Sequence, residues 1–138
     1  MTNDKAQMTN ESLNDKSDKK YDIKERALEF AVRAARLIRK LSKNQLTYEY
    51  SKQLIRASAS IGANLEEADG TLTKKDFINK MAIGRREARE SRYWLSLIMK
   101  TELITNLKDN MEAKSLIKEA HEVMLILSSI INKVKNKN

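Results

Sequence analysis

Apolar side chains recur at three- and four-residue intervals along most of the chain, and the pattern divides into four blocks. In the first, about residues 23–43, Ala27, Phe30, Ala31, Ala34, Leu37, Ile38 and Leu41 share one face. Arg26, Glu29, Arg33, Arg36, Lys40 and Lys43 occupy the other. A short link precedes a second block at about 48–69, with Thr47 as its expected N-cap and Gly70 placed as a C-cap glycine. Thr73 with Asp76 three residues later has the form of a capping box and opens a third helix, running to about Thr101. Its core stripe reads Phe77, Met81, Gly84, Ala88, Ser91, Leu95 and Met99. The fourth helix starts at Thr105 or Asn106, with Asp109 following. Leu116, Ile117, Ala120, Val123, Met124, Leu127, Ile130, Ile131 and Val134 give it a wide apolar band. Four amphipathic helices on short links predict an all-α, antiparallel up-down-up-down four-helix bundle over residues 22–138. Residues 1–21 are too polar to offset their ordering entropy by burial and are expected to be a disordered tail.

The second helix carries two surfaces. Leu54, Ala57, Ser58, Ile61, Leu65 and Ala68 form its apolar face, while Arg56, Ser60, Asn64 and Glu67 fall within an arc of roughly 80° beside it. Ala59 and Ala63 flank that arc. A solvated face is more often filled with Lys and Glu, so small hydrogen-bonding residues here point to close approach of another helix or subunit. If the second turn centres between Thr71 and Leu72, residues summing to about 143 lie opposite each other. Arg56 then faces Glu87, Ser60 faces Ile83 beside Gly84, and Asn64 faces Asn79. Arg56 and Glu67 are separated by roughly 16 Å along the helix. The acceptor for Arg56 is therefore expected to be Glu87 or Glu90.

With 138 residues, no proline and three glycines, the chain suits one domain of long helices. It contains no cysteine, which removes disulfides and thiolate metal sites. No apolar run approaches the roughly 20 residues needed to span a bilayer. The N-terminus has no apolar signal core. A cytoplasmic protein is the expectation. The net charge of +8 is uneven. Residues 22–43 carry seven basic against three acidic side chains, +4, and residues 71–100 carry eight against three, +5. Residues 44–70 are net −2, and residues 1–21 are neutral. Concentration of positive charge on two segments is how an anion-facing surface would arise.

Catalytic chemistry has little to work with. A carboxylate-bridged di-iron bundle needs paired Glu-x-x-His motifs, whereas the single histidine, His121, has Lys118 three positions before it. There is no glycine-rich phosphate loop and no Ser/His/Asp set, so no enzyme, cofactor or metal is expected. The stronger candidate is a basic stripe. Arg85, Arg89 and Arg92 lie within roughly 60° of one another on the third helix, with Lys74 on the same line. Like charges at that spacing destabilise an isolated helix by roughly 0.2–0.5 kcal/mol per pair, so a compensating anion is implied, either glutamate or phosphate. Arg36, Lys40 and Lys43 form a second stripe on the first helix. Aromatic residues are few and scattered, which argues against base stacking and for sequence-tolerant contact with RNA or DNA backbones.

The run from Arg56 to Leu95 resembles a known family. Its matching elements are Arg56, Ser60–Ile61–Gly62–Ala63–Asn64–Leu65, Glu67–Ala68, Asp76–Phe77, Glu87, Glu90 and Tyr93–Trp94–Leu95. They are similar to those of the 23S rRNA intervening-sequence proteins, also called the S23 bacterial four-helix-bundle family. The likeness extends in pattern over about residues 22–135. It departs at the long polar N-terminus and at Ala68–Asp69–Gly70, where many members place glycine directly after the glutamate. The resemblance implies a left-handed four-helix bundle assembling as a homopentamer, in a family many of whose members are encoded within insertions in 23S rRNA genes. A relative of the fold, the accessory variability determinant of diversity-generating retroelements, is a basic pentamer that binds nucleic acid and a reverse transcriptase. By that resemblance Trp94, on the flank of the third helix with Ile83 and Glu87, is expected at a subunit interface. Two functions remain open: a non-enzymatic oligomer binding RNA or DNA backbones, and a protein-interaction scaffold, such as a reverse-transcriptase accessory subunit, whose charge serves solubility.

Overall fold

The computed structural model describes residues 16–137, with side chains from Ile23 onward. It contains four helices: α1 (Lys16–Arg39), α2 (Gln45–Asp69), α3 (Lys74–Lys100) and α4 (Leu107–Lys135). Each packs on two neighbours, α1 on α2 and α4, and α3 on α2 and α4, with α1 diagonal to α3. That closed square, with short links between consecutive helices, is the expected all-α four-helix bundle. The helical backbone of α1 begins upstream of the expected boundary, and the remainder of the expected tail, residues 1–15, lies outside the described residues.

Helix ends follow local chemistry, with corrections. Thr73 accepts from the Asp76 backbone N–H, as its spacing implies, and Asn106 accepts from that of Asp109. The α2 cap is Asn44, which accepts from the Thr47 backbone N–H; Thr47 itself is buried and its hydroxyl has no partner. An Asn three residues upstream competes better for the exposed N–H groups than a threonine drawn into the core. Gly70 does cap α2, but at φ −93°, a conformation any residue adopts. The left-handed residue is instead Glu102, at φ 62°. After α3 the Glu102 N–H bonds the Met99 carbonyl and the Leu103 N–H bonds the Ile98 carbonyl, a Schellman turn closed without glycine. The chain leaves α1 at Arg39, so Lys43 sits in the connection rather than on a helical stripe.

The core is one continuous cluster in which Phe30, Leu54, Ile61, Leu65, Met81, Leu95, Leu116 and Leu127 are fully buried. Burying each such side chain contributes about 1.5–3 kcal/mol. On α3 the inward stripe differs from expectation at its edges. Ile98 and Glu87 are buried, while Phe77 and Met99 are half-buried, because the stripe drifts around the helix as it crosses α2. On α4 five of the nine members of the apolar band are buried; Ile117, Met124, Ile130 and Val134 lie half-buried along its sides. A Cβ at Gly84 would lie 3.5 Å from the Ile61 carbonyl and 3.4 Å from Leu65 Cδ2. The close approach of α2 and α3 therefore falls at Ile61 and Leu65.

Candidate functional site

The polar side chains sort by the seam they close. On the α2–α3 seam, Arg56 spans two carboxylates. Its Nη1 donates to Glu87 Oε1 at 3.2 Å and its Nη2 to Glu90 Oε1 at 2.6 Å. The predicted clasp is present and joins both candidates at once. Glu87 is buried and also receives Arg86, at 3.7 Å. The other members of the small polar arc do not join this network. Ser60 Oγ donates back to the Arg56 carbonyl and Asn64 Nδ2 to the Ser60 carbonyl, so both are satisfied within α2. Glu67 lies 3.6 Å from Lys80 and is exposed. Trp94 is half-buried against the core. Its ring centroid is 6.0 Å from that of Tyr50 and 5.2 Å from that of Tyr93. It is Tyr93, 60% exposed, that faces outward beside it.

On the α1–α4 seam, Arg26 grips Glu119 through two hydrogen bonds of 2.9 and 2.8 Å. One heptad later Arg33 grips Glu112 at 2.9 and 3.0 Å and also donates to Ser115. Lys40 follows, 3.6 Å from Asp109. The hydrogen bond from Arg33 holds the Glu112 carboxyl below its ordinary value of 4.5. Sequence reading placed Arg26 and Arg33 on a solvated face and missed these pairs. Their signal was available: Arg26, Arg33 and Lys40 are spaced by seven, as are Glu112 and Glu119. Antiparallel helices bring such series into register. On the α1–α2 seam Lys24 reaches Asp69 at 2.5 Å and Glu66 at 3.3 Å.

The α3–α4 seam is built differently. Arg85 Nη1 donates to Ser128 Oγ at 3.0 Å, and Arg92 Nη1 lies 2.8 Å from His121 Nδ1. Arginine can only donate, so His121 Nδ1 is the acceptor in this contact. Lys74 donates to the Lys137 carbonyl, and Arg89 is exposed with no ion pair among the described residues. By helical geometry Lys75, Arg85, Arg86, Arg89, Arg92 and Lys100 occupy an arc of about 120° on α3. Lys114, Lys118 and His121 occupy about 60° of the adjoining side of α4. Apart from the Arg86–Glu87 contact, none of these cations is within ion-pair distance of a carboxylate among the described residues.

The second predicted stripe is not part of this surface, because α1 is diagonal to α3. Arg36 and Lys40 line an open groove of about 700 Å³ that also contains Asp109 and Glu112, so its charge is mixed. Lys43 lies in the loop beyond. Among the described residues no cluster of three or more His, Asp or Glu side chains could hold a metal ion, and no helix is long and apolar enough to cross a membrane.

No curated protein matches the chain significantly. Among solved structures it is similar to a protein described as of unknown function from the S23 ribosomal protein family of Bacteroides thetaiotaomicron. The two share 39% identity over 83% of this chain and 98% of that one, with a TM-score of 0.73. The family model described as 23S rRNA-intervening sequence protein matches residues 19–129. With that match spanning most of the bundle and each helix in place, the chain belongs to the 23S rRNA-intervening sequence protein family.

Proposed function

We propose that this is a non-enzymatic helical protein that binds the phosphate backbone of RNA or DNA through the outer face of α3 and α4. The observation that supports it most is where five of the seven carboxylates of these two helices go, Asp76 and Glu122 being the other two. Glu87 and Glu90 turn to Arg56 on α2, and Glu112, Glu119 and Asp109 turn to α1. Two of the cations left behind, Arg85 and Arg92, are positioned by Ser128 and His121 rather than by carboxylates, which fixes a guanidinium without cancelling its charge. A concentrated field of one sign on a rigid surface attracts polyanions and releases their counterions.

Self-association belongs to the same reading. On the opposite side of the square, the α1–α2 groove around Gly62 exposes Leu28, Ala59 and Ala63 beside half-buried Ala31, and Ile55 is exposed further along α2. A second copy packed there would leave the basic face outward, and a ring of copies would multiply a weak phosphate contact through avidity. The groove is a surface for such a contact in addition to the Trp94 flank, whose indole packs on Tyr50 and Tyr93. A scaffold function, with another protein in that groove, is the competing reading that the same apolar surface favours.

The test is fluorescence anisotropy of labelled RNA against salt, on the full chain and on Arg85→Gln/Arg89→Gln/Arg92→Gln. The triple variant should keep its oligomeric mass by light scattering, bind more weakly, and show a salt slope shallower by roughly 0.7–0.9 per lost phosphate contact. Unchanged affinity in the folded variant would remove the phosphate reading.

A further inference from the structure

The basic face contains one feature that phosphate binding does not use. Tyr93 projects from its α2-facing edge, 60% exposed. On α3 it lies about 40° from Arg89 and about 20° from both Arg86 and Lys100, with Arg89 one turn before it. No lysine or arginine lies over its ring among the described residues; the cation–π contact that does occur joins Lys52 to Tyr48 on α2. The ring is nevertheless held. It meets Trp94 at 78°, with centroids 5.2 Å apart, and Trp94 is in turn held by Tyr50. A flat apolar surface, oriented in advance and flanked by Arg89 and Lys100, which meet no carboxylate among the described residues, matches a nucleobase attached to a phosphate chain. Pre-orientation lowers the entropy lost on binding. Inside a duplex both faces of a base are covered by its neighbours, so only a single strand, a loop or a splayed end can offer one to an aromatic ring.

We propose that Tyr93 is a nucleobase-stacking platform, so that the α3–α4 face takes single-stranded nucleic acid in preference to duplex. This rests on the phosphate reading above and adds to it the class of strand. The scatter of aromatics along the sequence argued against stacking; the fold places one of them among the arginines.

The probes are a labelled unstructured 20-nucleotide RNA, its DNA counterpart, and the duplex of each, titrated into the full chain, Tyr93→Ala and Tyr93→Phe. Wild type should bind both single strands more tightly than either duplex. Tyr93→Ala should weaken single-strand binding by about 5- to 150-fold, leave duplex binding unchanged, and leave the salt slope unchanged. Tyr93→Phe keeps the ring and should stay within about twofold, since stacking needs no hydroxyl. Equal loss on single strand and duplex, or no loss at all, would overturn the platform. If the Arg85/Arg89/Arg92 triple variant still loses affinity in that case, phosphate binding survives without it. Absence of binding by the wild-type chain to every probe would overturn both.

Discussion

Two pairs of arginines, each seven residues apart, meet the same helix and end in opposite states. Arg26 and Arg33 of α1 meet Glu119 and Glu112 of α4 in two-pronged ion pairs. Arg85 and Arg92 of α3 meet Ser128 and His121, again seven residues apart on α4, through single hydrogen bonds that involve no carboxylate. Spacing and side-chain type are alike in both cases; the partner decides whether the charge is consumed. An arginine closed onto a carboxylate ties helices together and contributes little field. Held by a hydroxyl or an imidazole nitrogen, the same side chain keeps its place and its whole charge. One flank of α4 therefore acts as a clasp, and the other supports the basic surface.

The contrast should be erasable. In His121→Glu/Ser128→Glu the α3–α4 seam is given the carboxylates that the α1–α4 seam has. Each arginine withdrawn removes about 1.4 kcal/mol, or tenfold, from nucleic-acid binding, so affinity measured by anisotropy should fall about 100-fold. Thermal stability should hold or rise slightly.

Opening the clasp should have the reverse signature. Arg33→Ala should destabilise the bundle by about 1 kcal/mol with RNA affinity nearly unchanged, as read by urea unfolding alongside anisotropy. The effect is pH-dependent, and its sign follows from Glu112. Its folded value is depressed by the hydrogen bond from Arg33, so the stabilisation is present above the ordinary 4.5 and is lost as pH falls through the depressed value. The difference between wild type and variant should accordingly shrink on acidification below 4.5.

The α2–α3 seam is intermediate and should give the smallest change. Arg56 is 49% exposed, and buried Glu87 retains Arg86 when Arg56 is removed. Arg56→Ala should then cost only about 0.5–1 kcal/mol, well short of the roughly 3–5 kcal/mol lost when a fully buried charge is left alone.

Much of this was legible from residue order. The four helices, the cap at Thr73, the start of the fourth helix to within one residue (Thr105 or Asn106), and the Arg56 clasp all follow from periodicity and from the register that a short turn imposes on adjacent helices. What escaped involves partners distant in sequence. The Arg26–Glu119 and Arg33–Glu112 pairs join the first helix to the last, where no turn fixes the register, so the arginines read as solvated. Thr47 was misassigned as a cap because the hydroxyl that could cap was instead drawn inward. The left-handed turn at Glu102 carries no glycine to announce it. Arg85, Arg89 and Arg92 were visible as a stripe, but only the fold shows that the nearby glutamates point away. Tyr93 was discounted by its isolation in sequence, although three-dimensional neighbours decide what a ring can do.

The most direct test compares the two arginine pairs in one titration. RNA affinity is measured against salt for the full chain, for Arg26→Gln/Arg33→Gln and for Arg85→Gln/Arg92→Gln. If partner identity assigns the roles, the second variant alone has a shallower slope, by roughly 1.4–1.8, while the first keeps the wild-type slope and melts at lower temperature. Equal slopes in the two variants would contradict the division of the arginines into clasp and binding surface.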